Sequence, residues 1–165
     1  MKNTTQFAIK VYKQYFNFAA SHFLVFKNGT REPLHGHNYR VAIKGDSFEL
    51  NNDMVFDFLD IKPIVRDVCN GLDHKVLIPK DNENLKIYTQ NKNYLLKVSD
   101  GSEFSIPTSD VLILPLHNTS AECLSVYLAN QISEKIFEKF QFCFKTLEIE
   151  VEETPGQSAV YNLKL

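Results

Sequence analysis

From Phe7 the chain alternates apolar with polar residues, through Phe7, Ile9 and Val11, and then through Phe16 and Phe18 after an irregularity near Lys13-Gln14. Alternation with period two is the mark of a half-buried strand. A turn-rich Lys27-Asn28-Gly29-Thr30 separates it from a second alternating run over 38–48, through Tyr39, Val41 and Ile43. Together they read as a long-looped antiparallel hairpin. Ile61, Ile64, Val65, Val68 and Leu72 then recur at helical spacing, with Pro63 fitting a first turn and an end near Asn70-Gly71. Short strand patterns follow at 85–88, 94–98 and 103–106, and Asp100-Gly101 marks a tight turn. The stretch 81–115 is too short to bury its own core, so it reads as a hairpin insertion in one domain spanning 1–165.

The pattern predicts a second helix most clearly. Thr119-Ser120-Ala121-Glu122 has the form of a capping box, and Leu124, Tyr127, Leu128, Ile132, Ile136 and Phe137 carry the helical stripe to about Phe140. Phe144, Leu147, Ile149 and Val151 suggest a third long strand. Glu153-Thr154-Pro155-Gly156 turns the chain into a last one over 159–165. Strand, strand, helix, insertion, helix, strand, strand is an α+β order, with two helices on one face of an antiparallel sheet.

Composition narrows the class without altering this picture. The 165 residues are 44% hydrophobic and 23% charged, ordinary for a globular domain. A net charge of −2 with no basic block gives no support to a nucleic-acid or anionic-membrane partner. Cys69, Cys123 and Cys143 are odd in number and widely spaced, unlike a disulfide framework, which fits a reducing cytoplasm. No apolar run reaches the roughly 18 residues of a membrane span. Residues 1–6 lead into an alternating strand and not into the apolar centre of a signal peptide, so a cytoplasmic protein is expected.

The chemistry gathers around Arg31-Glu32-Pro33-Leu34-His35-Gly36-His37-Asn38-Tyr39. His35 and His37 project from one side of an extended strand, and His22 stands upstream. Three imidazoles without a cysteine suit a catalytic zinc with an open fourth position, whereas a structural zinc wants four protein ligands. Glu32 alone would be a solvated loop carboxylate; beside a metal it becomes a candidate general base. Asp73-His74 is either a helix-end charge pair or a relay in which Asp73 orients His74. Glu122 is explained by capping, and Cys69 and Cys123 by core packing.

In this order the motifs resemble the 6-pyruvoyltetrahydropterin synthase / 6-carboxytetrahydropterin synthase family. Phe18-Ala19-Ala20-Ser21-His22 looks like its first zinc-ligand segment, and His35-Gly36-His37-Asn38-Tyr39 like the second and third ligands. The stretch 55–62 resembles the opening of its first helix, Leu72-Asp73-His74 its catalytic pair and Asn118-Thr119-Ser120-Ala121-Glu122 the start of a helix bordering the pterin. Glu153-Thr154 with Ala159-Val160-Tyr161 is similar to its pterin anchor. The resemblance implies the tunnelling fold: a four-stranded antiparallel sheet with two helices, trimerising into a barrel and stacking into a homohexamer with sites between subunits. It implies zinc on His22, His35 and His37, with Glu153, Thr119 and Ser120 toward the substrate; Arg31 is either a substrate-binding cation that neutralises a triphosphate or a solvated loop cation.

One departure bears on the reaction. Most members carry a cysteine four residues before His-Gly-His, where this chain has Arg31. Glu-x-x-His-Gly-His resembles a branch in which glutamate replaces that cysteine. That branch cleaves the side chain of 7,8-dihydroneopterin triphosphate to 6-hydroxymethyl-7,8-dihydropterin, with Glu32, Asp73 and His74 as the catalytic set here. The same fold making a 6-pyruvoyl or 6-carboxy product, a non-catalytic pterin- or purine-binding protein, and a structural zinc protein are the alternatives. Folate, tetrahydrobiopterin and queuosine routes all stay open.

Overall fold

A computed structural model describes residues 6–165; the expectation that no leader precedes the first strand falls largely on residues 1–5, outside the described residues. The elements run β1 (Phe7–His22), β2 (His35–Ser47), α1 (Phe58–Leu72), β3 (Lys75–Pro79), β4 (Leu85–Gln90), β5 (Asn93–Val98), β6 (Glu103–Pro107), β7 (Val111–Leu114), α2 (Ala121–Phe140), β8 (Thr146–Thr154) and β9 (Gln157–Lys164). The class is α+β, as the pattern predicts, but the main sheet is larger than expected. Antiparallel β1, β2, β8 and β9 are joined by two parallel strands, in the order β7-β3-β1-β2-β8-β9. Val76-Leu77-Ile78 and Val111-Leu112-Ile113-Leu114 are short apolar runs without alternation, which periodicity alone cannot assign.

The irregularity in β1 decides which face carries chemistry. Between the pairs Tyr12↔Ala42 and Asn17↔Arg40, five steps on β1 pass against two on β2. An odd excess moves the inward side chains from the odd positions to the even ones. Val11 is buried before the bulge, and Phe16, Phe18, Ala20 and His22 are inward after it. His22 therefore shares the core face with the odd-numbered residues of β2.

That face is covered by the helices. In α1 the Asp57 side chain accepts from the Leu59 N–H at 2.7 Å, and Ile61, Ile64, Val65, Val68, Cys69 and Leu72 form the buried stripe. Pro63 is thus the sixth helical residue, not part of a first turn. For α2 the cap is Ser120, whose hydroxyl accepts from the Cys123 N–H at 3.4 Å. The expected Thr119–Glu122 capping box is therefore corrected: Thr119 is fully buried with its hydroxyl toward the Phe23 carbonyl, so the reciprocal pair cannot form. Leu124, Leu128, Ala129, Ile132 and Ile136 close the core over Tyr39, Val41, Ile43, Leu147 and Ile149.

Strands β4, β5 and β6 form a separate three-stranded antiparallel sheet. Its apolar cluster is built jointly with the main chain path, since Leu85, Leu96 and Val98 pack with Phe23, Val25, Ile78 and Val111.

Candidate metal centre and active site

The register places the three histidines by cross-strand pairing: His22 lies opposite His35, and Ala20 opposite His37. Their ring centroids are 4.7, 5.3 and 4.8 Å apart, and one ring nitrogen of each lies within 4.8 Å of the others. Nδ1 of His22 donates to the Thr119 carbonyl at 2.9 Å, and Nδ1 of His35 to the Pro33 carbonyl at 2.8 Å. Such bonds fix the tautomer and leave Nε2 as a lone-pair donor, the usual outer support of a metal-binding histidine. Burial holds the His22 pKa below the ordinary imidazole value, which favours the neutral form a ligand requires. These residues could hold a transition-metal ion.

Two further residues stand at the triad. Glu153, expected in a turn, is instead the extra residue of a bulge in β8, because Glu152 pairs with Ser158 while Thr154 already pairs with Gln157. Its carboxylate continues the inward, odd-numbered face of Leu147, Ile149 and Val151. Its Oε1 is 3.5 Å from Nε2 of His22 and 3.6 Å from Nε2 of His37; beside a neutral His22 the first is a polar contact and not an ion pair.

Tyr39 is the residue that sequence reasoning passed over. It is fully buried, its hydroxyl lies 3.2 Å from Nε2 of His22 and donates to Glu153 at 3.3 Å. Burial first, then the charge of Glu153 and the bond to it, push its pKa far up, so it remains a proton donor. The signal was present: Tyr39 continues the period-two face of His35 and His37.

Glu32 sits on the return strand of the 23–32 loop, opposite Leu24, two residues beyond His22. Its N–H donates to the Leu24 carbonyl at 3.0 Å, and its Oε2 accepts from the Leu24 N–H at 3.4 Å. It lies close enough for its charge to act on the Tyr39 hydroxyl. Arg31 turns the other way: its Nε donates to Ser102 Oγ at 2.7 Å and its guanidinium stacks 4.6 Å from the Phe104 ring. Thr119 offers its backbone carbonyl to His22, and Ser120 caps α2.

Asp73 and His74 are not brought to this chain's triad. The His74 N–H donates to the Ala19 carbonyl at 2.7 Å and Asp73 Oδ1 accepts from the Ala19 N–H at 2.7 Å, beside a position that faces away from the core. Nδ1 of His74 is 2.8 Å from Asp73 Oδ2, and the imidazole is 85% exposed. A cleft of about 850 Å³ on this open face is lined by Asp73 and His74 together with Lys10, Asn38, Arg40 and Glu150.

The Ala19 N–H first, then His74, holds the Asp73 carboxyl below the usual carboxylate range. Folding lowers this pKa, so its stabilisation is present above about pH 4 and is lost as pH falls through the folded value. Asp73→Asn is expected to be less stable than the parent at pH 7, with the gap closing toward pH 2.5. Urea midpoints across that range measure it, and a gap that persists in acid would overturn this account.

With that geometry in place, the family can be assigned. A family model described as 6-pyruvoyl tetrahydropterin synthase matches residues 10–164. The chain belongs to the 6-pyruvoyl tetrahydropterin synthase family. A putative 6-carboxy-5,6,7,8-tetrahydropterin synthase of Methanocaldococcus jannaschii is 36% identical over 146 residues, 87% of this chain and 88% of that one. A 6-carboxy-5,6,7,8-tetrahydropterin synthase of Haemophilus influenzae is 30% identical over 123 residues, 71% and 77% of the two chains. The crystal structure of Plasmodium vivax 6-pyruvoyltetrahydropterin synthase superposes with a TM-score of 0.91 at 32% identity, covering 98% of this chain and 99% of that one. A variant of the Plasmodium vivax protein, described as altered at a catalytic glutamate, superposes with a TM-score of 0.90. The tunnelling fold and a pterin-synthase type of lyase are therefore family properties of this chain. Among its described residues, no helix is long and apolar enough to cross a membrane.

Proposed function

We propose that the protein is a zinc-dependent lyase on 7,8-dihydroneopterin triphosphate that releases 6-hydroxymethyl-7,8-dihydropterin. The observation that carries this reading is Glu32, a carboxylate held against Leu24 two residues beyond His22, its charge reaching the Tyr39 hydroxyl, and next to Arg31, the position where most members of the family have a cysteine. A Plasmodium structural neighbour with a catalytic glutamate supports it.

Three imidazoles without a cysteine are a donor set that fits zinc, held by His22, His35 and His37. When bound, the ion supplies Lewis acidity toward the hydroxyls of the substrate side chain. Glu32 accepts the proton of the second side-chain hydroxyl. The bond between the first and second side-chain carbons then breaks, its electron pair passing into the conjugated ring imine, and the second carbon leaves as an aldehyde carrying the triphosphate. His74, oriented by Asp73, returns a proton to the first carbon and completes the hydroxymethyl group. Glu153 accepts from the amino group and ring N–H of the pterin, a planar pair of donors that a carboxylate matches.

In one copy His74 faces away from the triad, so this reading takes it from a neighbouring copy in a homohexamer of cytoplasmic enzyme. On this reading Thr119 and Ser120 border the pterin, Thr119 holding His22 through its carbonyl, while Arg31 flanks Glu32 and faces Ser102 and Phe104.

The names of the Methanocaldococcus and Haemophilus relatives favour a second reading, a 6-carboxy product. Incubation with 7,8-dihydroneopterin triphosphate, followed by mass spectrometry, separates them. The hydroxymethyl product is expected; a 6-carboxy- or 6-pyruvoyl-tetrahydropterin as the main product would overturn the first reading.

A further inference from the structure

The 23–32 loop that carries Glu32 does not stand alone. Phe26 and Gly29 close a turn at its tip through bonds from Phe26 N to Thr30 O at 2.8 Å and from Gly29 N to Phe26 O at 2.9 Å. Gly29 has φ +85°, and a Cβ there would come 3.1 Å from Ser99 Cβ, so the tip lies directly against the β5–β6 connection. Asn84 Nδ2 donates to the Phe26 carbonyl at 3.1 Å. At the base of the loop Phe23 stacks on Phe104 of β6, centroids 5.0 Å apart and planes within 18°.

Arg31 ties this second sheet to Glu32 itself. Its Nε donates to Ser102 Oγ at 2.7 Å while NH1 donates to the Glu32 carbonyl at 2.7 Å. Ser102 is set in turn by Asp100, whose Oδ1 accepts from the Ser102 hydroxyl at 2.6 Å and from its N–H at 2.8 Å. The Arg31 guanidinium carbon lies 4.6 Å from the Phe104 ring centroid while Nε and NH1 bond two separate partners, a fixed fork that a single ammonium does not reproduce. Both backbone polar groups of Glu32 are therefore fixed, the N–H by Leu24 and the carbonyl by Arg31, and Arg31 is fixed by the insertion.

We propose that the β4–β6 sheet is the positioning element for Glu32, acting through Phe104 and the Asp100–Ser102–Arg31 chain. Arg31 is then a positioning residue and not a cation for the triphosphate. The proposal rests on the reading of Glu32 as proton acceptor. Small displacements of a reacting group cost rate far more than they cost binding.

The test is steady-state and single-turnover kinetics on the full-length, zinc-loaded protein. Phe104→Ala and Arg31→Met are each expected to lower kcat by about 10- to 100-fold with KM within about twofold and zinc content unchanged. Arg31→Lys is expected to stay as slow as Arg31→Met. Lys97→Ala, which breaks only the exposed Lys97–Glu103 pair on the same sheet, is expected to keep full activity. In a Glu32→Gln background, Phe104→Ala is expected to slow the residual rate by less than about twofold, since the group it positions is already gone.

Should Phe104→Ala not fold, Ser102→Ala removes the acceptor for Arg31 together with the hydroxyl's own bond to Asp100, and carries the same test. Full kcat in Arg31→Met and Phe104→Ala, with Glu32→Gln inactive, would overturn the positioning role and leave the base intact. An equal slowing of the Glu32→Gln enzyme would reduce the sheet to general support. Rescue by Arg31→Lys, with a raised KM in Arg31→Met, would return Arg31 to the triphosphate. Full activity of Glu32→Gln itself would instead remove the underlying reading.

Discussion

Glu32→Gln is expected to lower turnover by about 10³- to 10⁴-fold, at the upper end of what a positioned acid or base supplies, while leaving zinc stoichiometry and elution volume unchanged. The amide is nearly isosteric, so its oxygen can still accept the Leu24 N–H now held by Oε2 at 3.4 Å. The backbone clamps from Leu24 and Arg31 do not involve the side chain's charge. Glu32 is not among the three histidine ligands, so metal content should not follow activity down. The variant therefore isolates proton acceptance from folding and from metal binding. Metal analysis, size-exclusion chromatography and a product assay on one preparation check all three. Retention of more than about a tenth of the parental rate would move the base elsewhere.

Much of this site was legible in the chain because strands write their faces into sequence. His-x-His-x-Tyr is a period-two statement that three side chains share a side, and the register adds only that His22 meets them. What the sequence concealed has physical causes too. The three extra residues of the β1 bulge change the parity of the strand, so alternation on either side of it cannot be compared without the pairing. Glu153 keeps the odd-numbered inward face of β8 because the strand runs on to Thr154, through residues that a turn pattern had claimed. Strands β3 and β7 are apolar on both faces and lack a period altogether. The separation of Asp73-His74 from the triad is a matter of sheet sides, which motif order along the chain does not encode.

His22→Ala is expected to weaken zinc binding by more than the 10- to 100-fold that loss of an outer partner costs, and to abolish activity with it. Unlike His35, which is exposed, His22 is 1% exposed and sits between Tyr39 and the Thr119 carbonyl. Its removal therefore does two separate things. It deletes a ligand, and it leaves a buried carbonyl at the base of α2 without its donor, a loss of about 1–3 kcal/mol that is present even without metal. His35→Ala should share the first effect and largely escape the second. Denaturant unfolding of chelator-treated protein separates the two contributions. There, His35→Ala should unfold near the parental midpoint and His22→Ala at a clearly lower one, whereas in zinc-loaded preparations both should lose the added stability that metal binding gives the parent. Equal midpoints for the two metal-free variants would mean that the His22–Thr119 bond serves only to aim the ring, and that the fold does not depend on it.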